Sequence, residues 1–259
     1  ILMSQLIPDL SFFSYTAQYF ARYRYEPANG DGALFSETDR DVVAGYRKID
    51  NITDKALERF CDAYPETRIS KDDVFFYVYG LLHSPEYRET YAADLKKMLP
   101  RIPFVADFRA FADAGRALSE LHLSYEAVDR HPLGGLELEP PAGADPYEFF
   151  AVGDKKIRFG GKNKDRSVIE YNDRITLTGV PKDAYRYMLG SRSAMEWLID
   201  RYYVKTDKPS GIVNDPNDWS REVGDPRYII DLFARITTVS LETMQIVDAL
   251  PALDLIDPA

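Results

Sequence analysis

Basic side chains are concentrated in one short stretch of an otherwise acidic sequence. Residues 151–180 contain seven basic and four acidic residues, a local charge of +3, whereas the whole chain of 259 residues has a formal charge of -10. Ammonium and guanidinium groups attract phosphates and release their counterions. The clustering therefore indicates a binding surface for a polyanion. Its basic members are Lys155, Lys156, Arg158, Lys162, Lys164, Arg166 and Arg174.

The same stretch alternates apolar and polar residues, which predicts a small antiparallel β-meander over about residues 151–180. A two-stranded ribbon fits the major groove of DNA. At the tip of such a ribbon, Lys162 and Lys164 could meet phosphates while Asn163 reads an adenine edge. The alternative is an ordinary solvated hairpin whose lysines protect an exposed strand edge. Composition alone favours this alternative.

A second candidate surface is the turn-rich segment 205–219, which combines lysine and asparagine with several turn-forming residues. Lys205, Lys208, Ser210 and Asn214 could contact phosphates and base edges. Alternatively, the Asn and Asp side chains of this segment bind its own backbone and only shape the loop. The sequence leaves both interpretations open.

Recognisable catalytic motifs are absent from the sequence. It has no phosphate-binding loop, no dinucleotide-binding glycine pattern, no His-Glu-x-x-His zinc motif and no nucleophile elbow. The Asn-Pro-Pro-Tyr type of motif of DNA adenine methyltransferases is missing too. We therefore predict no catalytic residue, no metal site and no cofactor, and interpret His83 and Cys61 as core residues. An enzyme with an unrecognised site, using acids such as Glu170 and Asp173, is the alternative.

Membrane insertion and secretion are not expected. The chain has no run of about 18 apolar residues, and its first residues lack a basic segment followed by an apolar one. Its single cysteine cannot form an internal disulfide. A reducing, cytoplasmic setting fits this composition.

The remaining sequence is mostly helical in pattern, and capping residues mark its helix starts. Ser70 stands before two aspartates and Ser84 before Pro85, and both are typical helix-start signals. One continuous helix is expected from Pro85 to about Met98. We predict a single target-binding domain over residues 1–259, with a mostly helical α+β fold. Its expected parts are a helical lobe at about 50–126, a Pro- and Gly-rich loop at 129–147, the β-meander at about 151–180 and a C-terminal helical lobe at 181–250.

Seven segments carry a resemblance to a known family. They are YVYGLLHSPEYR (77–88), LPRIPF (99–104), YNDRITLTG (171–179), SAMEWLIDR (193–201), VKTDK (204–208), SGIVND (210–215) and VSLETM (239–244). In this order they resemble the C-terminal specificity domain of single-polypeptide type I (type ISP) restriction-modification enzymes. The match covers most of residues 50–250, and seven ordered segments form a specific signal.

The resemblance implies a role within a larger enzyme. Members of this family combine a nuclease, an ATP-driven helicase-like motor and an adenine N6 methyltransferase that uses S-adenosylmethionine, followed by this domain. By resemblance, the chain binds duplex DNA, selects a short asymmetric target and presents an adenine to the upstream methyltransferase. ATP, S-adenosylmethionine and Mg²⁺ are then expected to be bound by the upstream domains.

At residue level the resemblance separates two groups of positions. Matching stretches, which include Lys205 and Lys208, are expected to hold the fold or the phosphates. Non-matching stretches, at 129–147 and 162–164, are better candidates for variable base readers. The alternative function is a protein-docking module, whose acidic helices contact the motor or methyltransferase domains without reading bases.

Overall fold

The computed structural model describes residues 3–4, 19–28, 42–97 and 100–257. These residues form two compact units, each with a buried apolar cluster of its own. The meander unit is Glu120–Ala249 together with Met3. The aromatic unit comprises the described residues from Ser4 to Ser119 and from Leu250 onward.

Helices and short antiparallel strands together confirm the α+β class. The helices of the described residues are α1 (Asp54–Ala63), α2 (Lys71–His83), α3 (Pro85–Thr90), α4 (Ala92–Lys96), α5 (Phe108–Leu123), α6 (Pro146–Phe149), α7 (Ala194–Arg201), α8 (Asn217–Glu222) and α9 (Tyr228–Asp248), with a 3₁₀ helix at Lys182–Tyr185. The strands are β1 (Tyr23–Pro27), β2 (Val42–Val43), β3 (Tyr46–Asp50), β4 (Phe104–Val105), β5 (Arg158–Gly160), β6 (Asp165–Glu170), β7 (Thr176–Thr178), β8 (Met188–Leu189), β9 (Arg192–Ser193), β10 (Lys205–Thr206), β11 (Val213–Asn214) and β12 (Leu255–Ile256). Within the described ranges, no helix has the length and apolarity needed to cross a bilayer.

Helix α2 of the aromatic unit begins where the sequence predicts. Ser70 Oγ accepts a hydrogen bond from the Asp73 amide (3.2 Å), and the Asp73 carboxylate accepts one in return from the Ser70 amide (2.9 Å). A reciprocal cap of this kind stabilises a helix start by about 1 kcal/mol. The start of α2 is therefore set by local chemistry.

The helix predicted to continue from Pro85 to about Met98 is divided, so that prediction was wrong. Ser84 caps its start by accepting a hydrogen bond from the Tyr87 amide (3.3 Å). Tyr91, with φ -103° and ψ 21°, then leaves helical geometry, and α4 follows it without a side-chain cap. Two short helices replace one, and the expected end at residue 98 lies outside the described residues.

Buried tyrosine hydroxyls hold the segment that precedes α5. Tyr64 donates to the Val105 carbonyl (2.8 Å) and accepts from the Val105 amide (2.9 Å). Tyr77 donates to the Pro103 carbonyl (2.6 Å), while its ring stacks on Phe108 at 4.9 Å. Burial raises the pKa of Tyr77, which keeps this hydroxyl protonated as a donor. Each ring thus fills the core while its oxygen satisfies backbone groups that water cannot reach.

Helices α2 and α5 cross at two glycines. A Cβ added to Gly80 would lie 2.1 Å from the Phe111 carbonyl oxygen, and one added to Gly115 would lie 1.8 Å from the Phe76 carbonyl oxygen. These distances are far shorter than a van der Waals contact. The two backbones therefore touch directly, and a side chain at either glycine has no room.

The aromatic unit also contains strands that the sequence did not predict. β1, β3 and β2 form a sheet in that order, and β12 pairs antiparallel with β4. Arg22, just before β1, forms ion pairs with Asp50 at the end of β3 and with Asp72 in α2. In the sequence, the strands of the first sheet end at Asp50, just before the helical lobe predicted from about residue 50.

The predicted β-meander is confirmed in the meander unit, with strand order β5-β6-β7. Phe159, Ile169 and Leu177 lie directly opposite one another across the three strands. Ile169 and Leu177 are fully buried in a cluster that also contains Phe233 of α9. At the turn between β6 and β7, Asn172 Oδ1 accepts from the amides of Arg174 (2.9 Å) and Ile175 (2.8 Å). The buried row fixes which face of the sheet points to solvent.

The Pro- and Gly-rich loop predicted at 129–147 lies partly along the outer edge of β7. The Gly134 amide donates to the Thr178 carbonyl, and the Thr178 amide donates to the Gly134 carbonyl, both at 3.0 Å. Farther along the loop, Arg227 donates to the Leu136 carbonyl (2.6 Å). The loop therefore covers an edge that would otherwise offer free backbone groups to another strand.

Candidate nucleic-acid interface

The candidate binding residues all lie in the meander unit, on or beside two hairpins. The first hairpin is β5, the turn 161–164 and β6. The second hairpin is β10, the turn 207–212 and β11. The eleven predicted residues are Lys155, Lys156, Arg158, Lys162, Asn163, Lys164 and Arg166 at the first hairpin, and Lys205, Lys208, Ser210 and Asn214 at the second.

The turn of the first hairpin presents three polar side chains to solvent. Lys162, Asn163 and Lys164 are exposed. Among the described residues, none of the three side chains has an ion pair or a hydrogen bond. Gly161 (φ +62°) and Lys164 (φ +51°) both adopt the left-handed conformation, which reverses the chain within four residues. Two ammonium groups and one amide are therefore available to a ligand without breaking an internal contact.

The cations at the base of the first hairpin are held by carboxylates. Lys155 Nζ lies 3.1 Å from Asp173, and Arg158 Nε donates to Glu170 at 2.5 Å. Both cations are exposed, so solvent screens each ion pair and leaves it weak. A phosphate can therefore replace either carboxylate at small cost. The two acids considered for an unrecognised catalytic site each have a cationic partner in this arrangement.

Glu170 also fixes the turn. Its second carboxylate oxygen accepts from the Gly161 amide at 2.9 Å. This amide first, and then the Arg158 guanidinium, lower the pKa of the Glu170 carboxyl. Glu170 therefore remains ionised well into acid and braces the turn that presents Lys162 and Lys164.

Arg166 is held more firmly than the other cations. Its guanidinium lies 4.3 Å from the ring centroid of Tyr185 and 5.2 Å from that of Phe159. It also donates to Glu196 of α7 at 2.9 Å. Stacking on aromatic faces and pairing with a carboxylate together fix the planar group. Arg166 thus links the first hairpin to α7.

Helix α7 extends the basic surface in a way that the sequence reasoning missed. The Asp200 carboxylate pairs with Lys156 (3.3 Å) and with Arg192 (2.5 Å). Burial raises the pKa of Asp200, but hydrogen bonds from Arg192 and Lys156 outweigh it, so the pKa is lowered overall. Arg192 and Arg201 also lie 5.6 and 5.0 Å from the ring centroid of Trp197.

The sequence analysis did not predict Arg192 and Arg201 as part of the basic surface, because both lie outside residues 151–180, over which the local charge was counted. The one signal present was Trp197, four residues before Arg201, a spacing that places both on one helix face. Only the tertiary structure brings Arg192 and Lys156 to the same carboxylate.

The turn of the second hairpin is stiffened by its own side chains. Asp207 Oδ1 accepts from the Ser210 amide (3.0 Å) and from Ser210 Oγ (2.7 Å). The Gly211 amide donates to the Asp207 carbonyl at 2.8 Å. The side-chain bond first, and then the backbone bond, lower the pKa of Asp207. Ser210 therefore stabilises its own turn, and its hydroxyl is engaged there.

Lysines flank this turn. Lys205 lies opposite Asn214 in the β10-β11 ladder, and Lys208 is in the turn itself. Among the described residues, neither ammonium group lies within ion-pair distance of a carboxylate. The second hairpin therefore offers two cations and one exposed amide.

Both hairpins are attached to the same short segment. The Val204 amide, just before β10, donates to the Gly153 carbonyl at 2.8 Å. The buried Asn217 side chain, just after β11, accepts from the Val152 amide and donates to the Val152 carbonyl, both at 2.9 Å. Residues 152–153 lead directly into Lys155 at the base of the first hairpin. The two hairpins thus share one anchor at residues 152–153.

An open groove of about 590 Å³ lies beside the first hairpin. It combines apolar walls with the basic residues of the turn. Its lining residues are Ile157, Arg158, Phe159, Gly161, Lys162, Lys164, Glu170 and Ile199. The groove is therefore lined by both signs of charge, since Glu170 faces it together with Arg158 and the two lysines of the turn.

Other chemically reactive side chains lie away from these hairpins. His83 is buried, as predicted, with Nδ1 2.8 Å from the Tyr79 carbonyl oxygen, and burial lowers its pKa to about 4. Cys61 is exposed, so its assignment to the core was wrong. α1 buries Phe60 instead, and one step of about 100° turns the next residue to solvent. In the described ranges, no three His, Cys, Asp or Glu residues cluster as metal ligands.

Comparison with known proteins identifies a family for this chain. The family model "Type ISP C-terminal specificity domain" matches residues 1–232. No curated protein matches the chain.

Three solved structures are similar to the chain. The ATP-dependent Type ISP restriction-modification enzyme LlaBIII bound to DNA is 33% identical over 98% of the chain, with a TM-score of 0.78. The DrdV-DNA complex is 34% identical over 98%, with a TM-score of 0.76. A nuclease-deletion mutant of the Type ISP enzyme LlaGI with a DNA substrate mimic is 40% identical over 72%, with a TM-score of 0.62. The chain spans only 15%, 23% and 14% of those three chains, respectively.

Proposed function

Because the chain belongs to the Type ISP C-terminal specificity domain family, we propose that it recognises a specific target in double-stranded DNA for a restriction-modification enzyme. The observation that carries the proposal is the turn of the first hairpin, where Lys162, Asn163 and Lys164 project without internal partners among the described residues. A basic turn on a braced two-stranded ribbon is shaped to enter the major groove.

An acidic chain can bind a polyanion if its free cations share one surface. The turn lysines of the first hairpin, and Lys205 and Lys208 of the second, form no ion pair with a carboxylate of the described residues, so they supply phosphate contacts directly. At the base of the first hairpin, Lys155 and Arg158 can exchange their carboxylate partners for phosphates. Residues 151–180 keep a local charge of +3, so most of the negative charge of the chain lies outside the first hairpin.

Asn163 is the proposed base reader. Its amide carries a donor and an acceptor, which together match N6 and N7 of adenine in the major groove. It stands between two phosphate-seeking lysines, so the backbone contacts of these neighbours hold it against the base edges. Phosphate contacts position the ribbon, and the amide adds selectivity.

The chain has no proposed catalytic role of its own. In this proposal, ATP, S-adenosylmethionine and Mg²⁺ are bound by motor and methyltransferase domains of the parent enzyme, and this chain presents the target adenine to the methyltransferase. Its short span relative to the LlaBIII and LlaGI chains supports a division of labour of this kind. The proposed site of action is the cytoplasm, where cellular DNA is accessible.

Duplex binding by the complete chain, measured by fluorescence anisotropy at several salt concentrations, tests the proposal. The double variant Lys162→Ala/Lys164→Ala should weaken binding to all sequences and reduce the slope of log affinity against log salt by about 1 to 2. Lys55→Ala is the matched control, since Lys55 is equally exposed but lies on α1 of the aromatic unit. An unchanged slope in the double variant would contradict the assignment.

Asn163→Ala tests base reading separately. We expect near-normal binding to random duplexes but a changed set of duplexes after repeated selection from a random pool, because the variant keeps its phosphate contacts. If the wild-type chain binds no duplex even at low salt, the proposed function fails and the protein-docking alternative takes its place.

A further inference from the structure

The two most exposed aliphatic side chains of the described residues are neighbours on the second hairpin. Ile212 is 61% exposed and Val213 is 57% exposed. Exposed aliphatic residues are common singly, but two adjacent exposed β-branched residues at one hairpin are unusual, and no described residue covers either of them.

The two side chains lie on opposite faces of the hairpin. Val213 pairs with Thr206 in the ladder, and the Asp207 amide donates to the Ile212 carbonyl (2.8 Å), which continues the ladder by one residue. Successive residues of an extended strand point to opposite faces. A flat partner could therefore cover only one of the two side chains, whereas a groove that closes around the ribbon covers both.

This apolar tip is held in place before any ligand binds. The Asp207 and Ser210 bonds close the turn, and Ser210 Oγ also accepts from the Ile212 amide at 3.3 Å. At the other end, the Val204 and Asn217 anchors fix both strands to the segment that precedes the first hairpin. A surface fixed in advance loses little conformational entropy on binding.

Charge identifies the occupant of this ribbon. Lys205 and Lys208 flank the apolar pair and, among the described residues, make no ion pair, while Asp207 is occupied by its own turn. Cations at the sides and apolar groups at the centre match a duplex groove, where phosphates line both rims and base edges form the floor.

We propose that Ile212 and Val213 form an apolar reading tip that enters a groove of the target duplex and packs against base edges. This proposal rests on the proposed function and deepens it, because it assigns part of the recognition to apolar contact and not to hydrogen bonds. It departs from the expectation that the matching segment 210–215 serves only the fold or the phosphates. Apolar side chains contact thymine methyl groups in the major groove and base steps in the minor groove.

The test compares the complete wild-type chain with Ile212→Ser/Val213→Ser on duplexes recovered from a random pool by repeated selection with the wild type. The double variant should bind these duplexes about tenfold more weakly, with an unchanged slope against salt concentration, because base contacts release no counterions. Both residues are exposed, so the thermal midpoint should stay the same. Val223→Ser, which changes an exposed aliphatic residue of the same unit outside both hairpins, is the matched control.

The possible outcomes separate the two proposals. If the wild type binds the selected duplexes and the double variant binds them equally well, the apolar tip is refuted while DNA recognition stands. A loss accompanied by a smaller salt slope would also refute it, since that would indicate lost phosphate contacts. If the wild type selects no duplex, both proposals fail.

Discussion

The aromatic unit and the meander unit use their charged groups in different ways. In the aromatic unit, Asp73 caps α2 and also forms ion pairs with Arg109 and Arg116, both at 3.1 Å. These two cations are therefore bound to a carboxylate that has a structural role. In the meander unit, lysines stand at the ends of hairpins with exposed partners or with none among the described residues. The two units differ in whether their cations are committed to structural carboxylates, and the net charge of the chain does not reveal this difference.

The largest expected effect is a loss of stability from a substitution where α2 and α5 of the aromatic unit cross. Gly115→Ala places a methyl group 1.8 Å from the Phe76 carbonyl oxygen, so α2 and α5 must separate. We expect a loss of about 3 kcal/mol in the free energy of unfolding, since overpacking between two backbones cannot be relieved by a side-chain rotation. Urea unfolding followed by tyrosine and tryptophan fluorescence measures the loss.

Gly153→Ala is the control in the meander unit, where an added Cβ would meet its nearest atom only at 3.9 Å. Its unfolding free energy should change by less than about 1 kcal/mol. Equal effects of the two substitutions would show that the crossing is not as close as described.

A smaller effect is expected from the anchor of the two hairpins. Asn217→Ala leaves the buried Val152 amide and carbonyl without partners, which costs about 2 kcal/mol. Because the anchor also positions the second hairpin, duplex affinity should fall although Asn217 is buried and is not one of the proposed DNA-binding residues. Asn163→Ala serves as the stability control, since its exposed amide has no partner among the described residues. Normal duplex binding by a destabilised Asn217→Ala would show that the hairpins act independently.

The smallest expected effect tests whether exposed cations are available for DNA binding once a carboxylate partner is removed. Asp200→Asn removes the carboxylate that holds Lys156 and Arg192, so duplex affinity should increase about threefold with a steeper salt dependence. Stability should change by no more than about 1 kcal/mol, because these ion pairs are partly exposed. Asp154→Asn removes the same charge from an exposed residue for which no ion pair is seen. An equal gain in both variants would indicate a general charge effect.

Local chemistry explains which parts of the fold could be predicted from the sequence. The cap at Ser70 and the alternating pattern of the meander depend on neighbours within a few residues, and both were predicted correctly. The break at Tyr91 and the exposure of Cys61 depend on which helix face the rest of the unit covers. That information is not contained in a local pattern.

The candidate site shows the same division. The exposed turn of the first hairpin could be located from charge and turn-forming residues alone. The pairing of Arg166 with Glu196, and of Lys156 with Asp200, joins residues 30 and 44 positions apart. Segment 205–219 was predicted as a loop because its Asp, Ser and Gly residues are typical of turns. The strands β10 and β11 within it have two residues each, which is too short to give a periodic signal.

The attachment of the Gly-rich loop to β7 determines which part of that loop can change in length. Gly134 is fixed to Thr178 at one end, and Asp145 caps α6 at the other by accepting from the Tyr147 amide at 2.9 Å. Between these fixed points, residues 140–144 can lengthen or shorten with little free-energy cost, because closure entropy grows only slowly with loop length. This part of the meander unit is therefore a suitable place to exchange segments between related enzymes without rebuilding the scaffold.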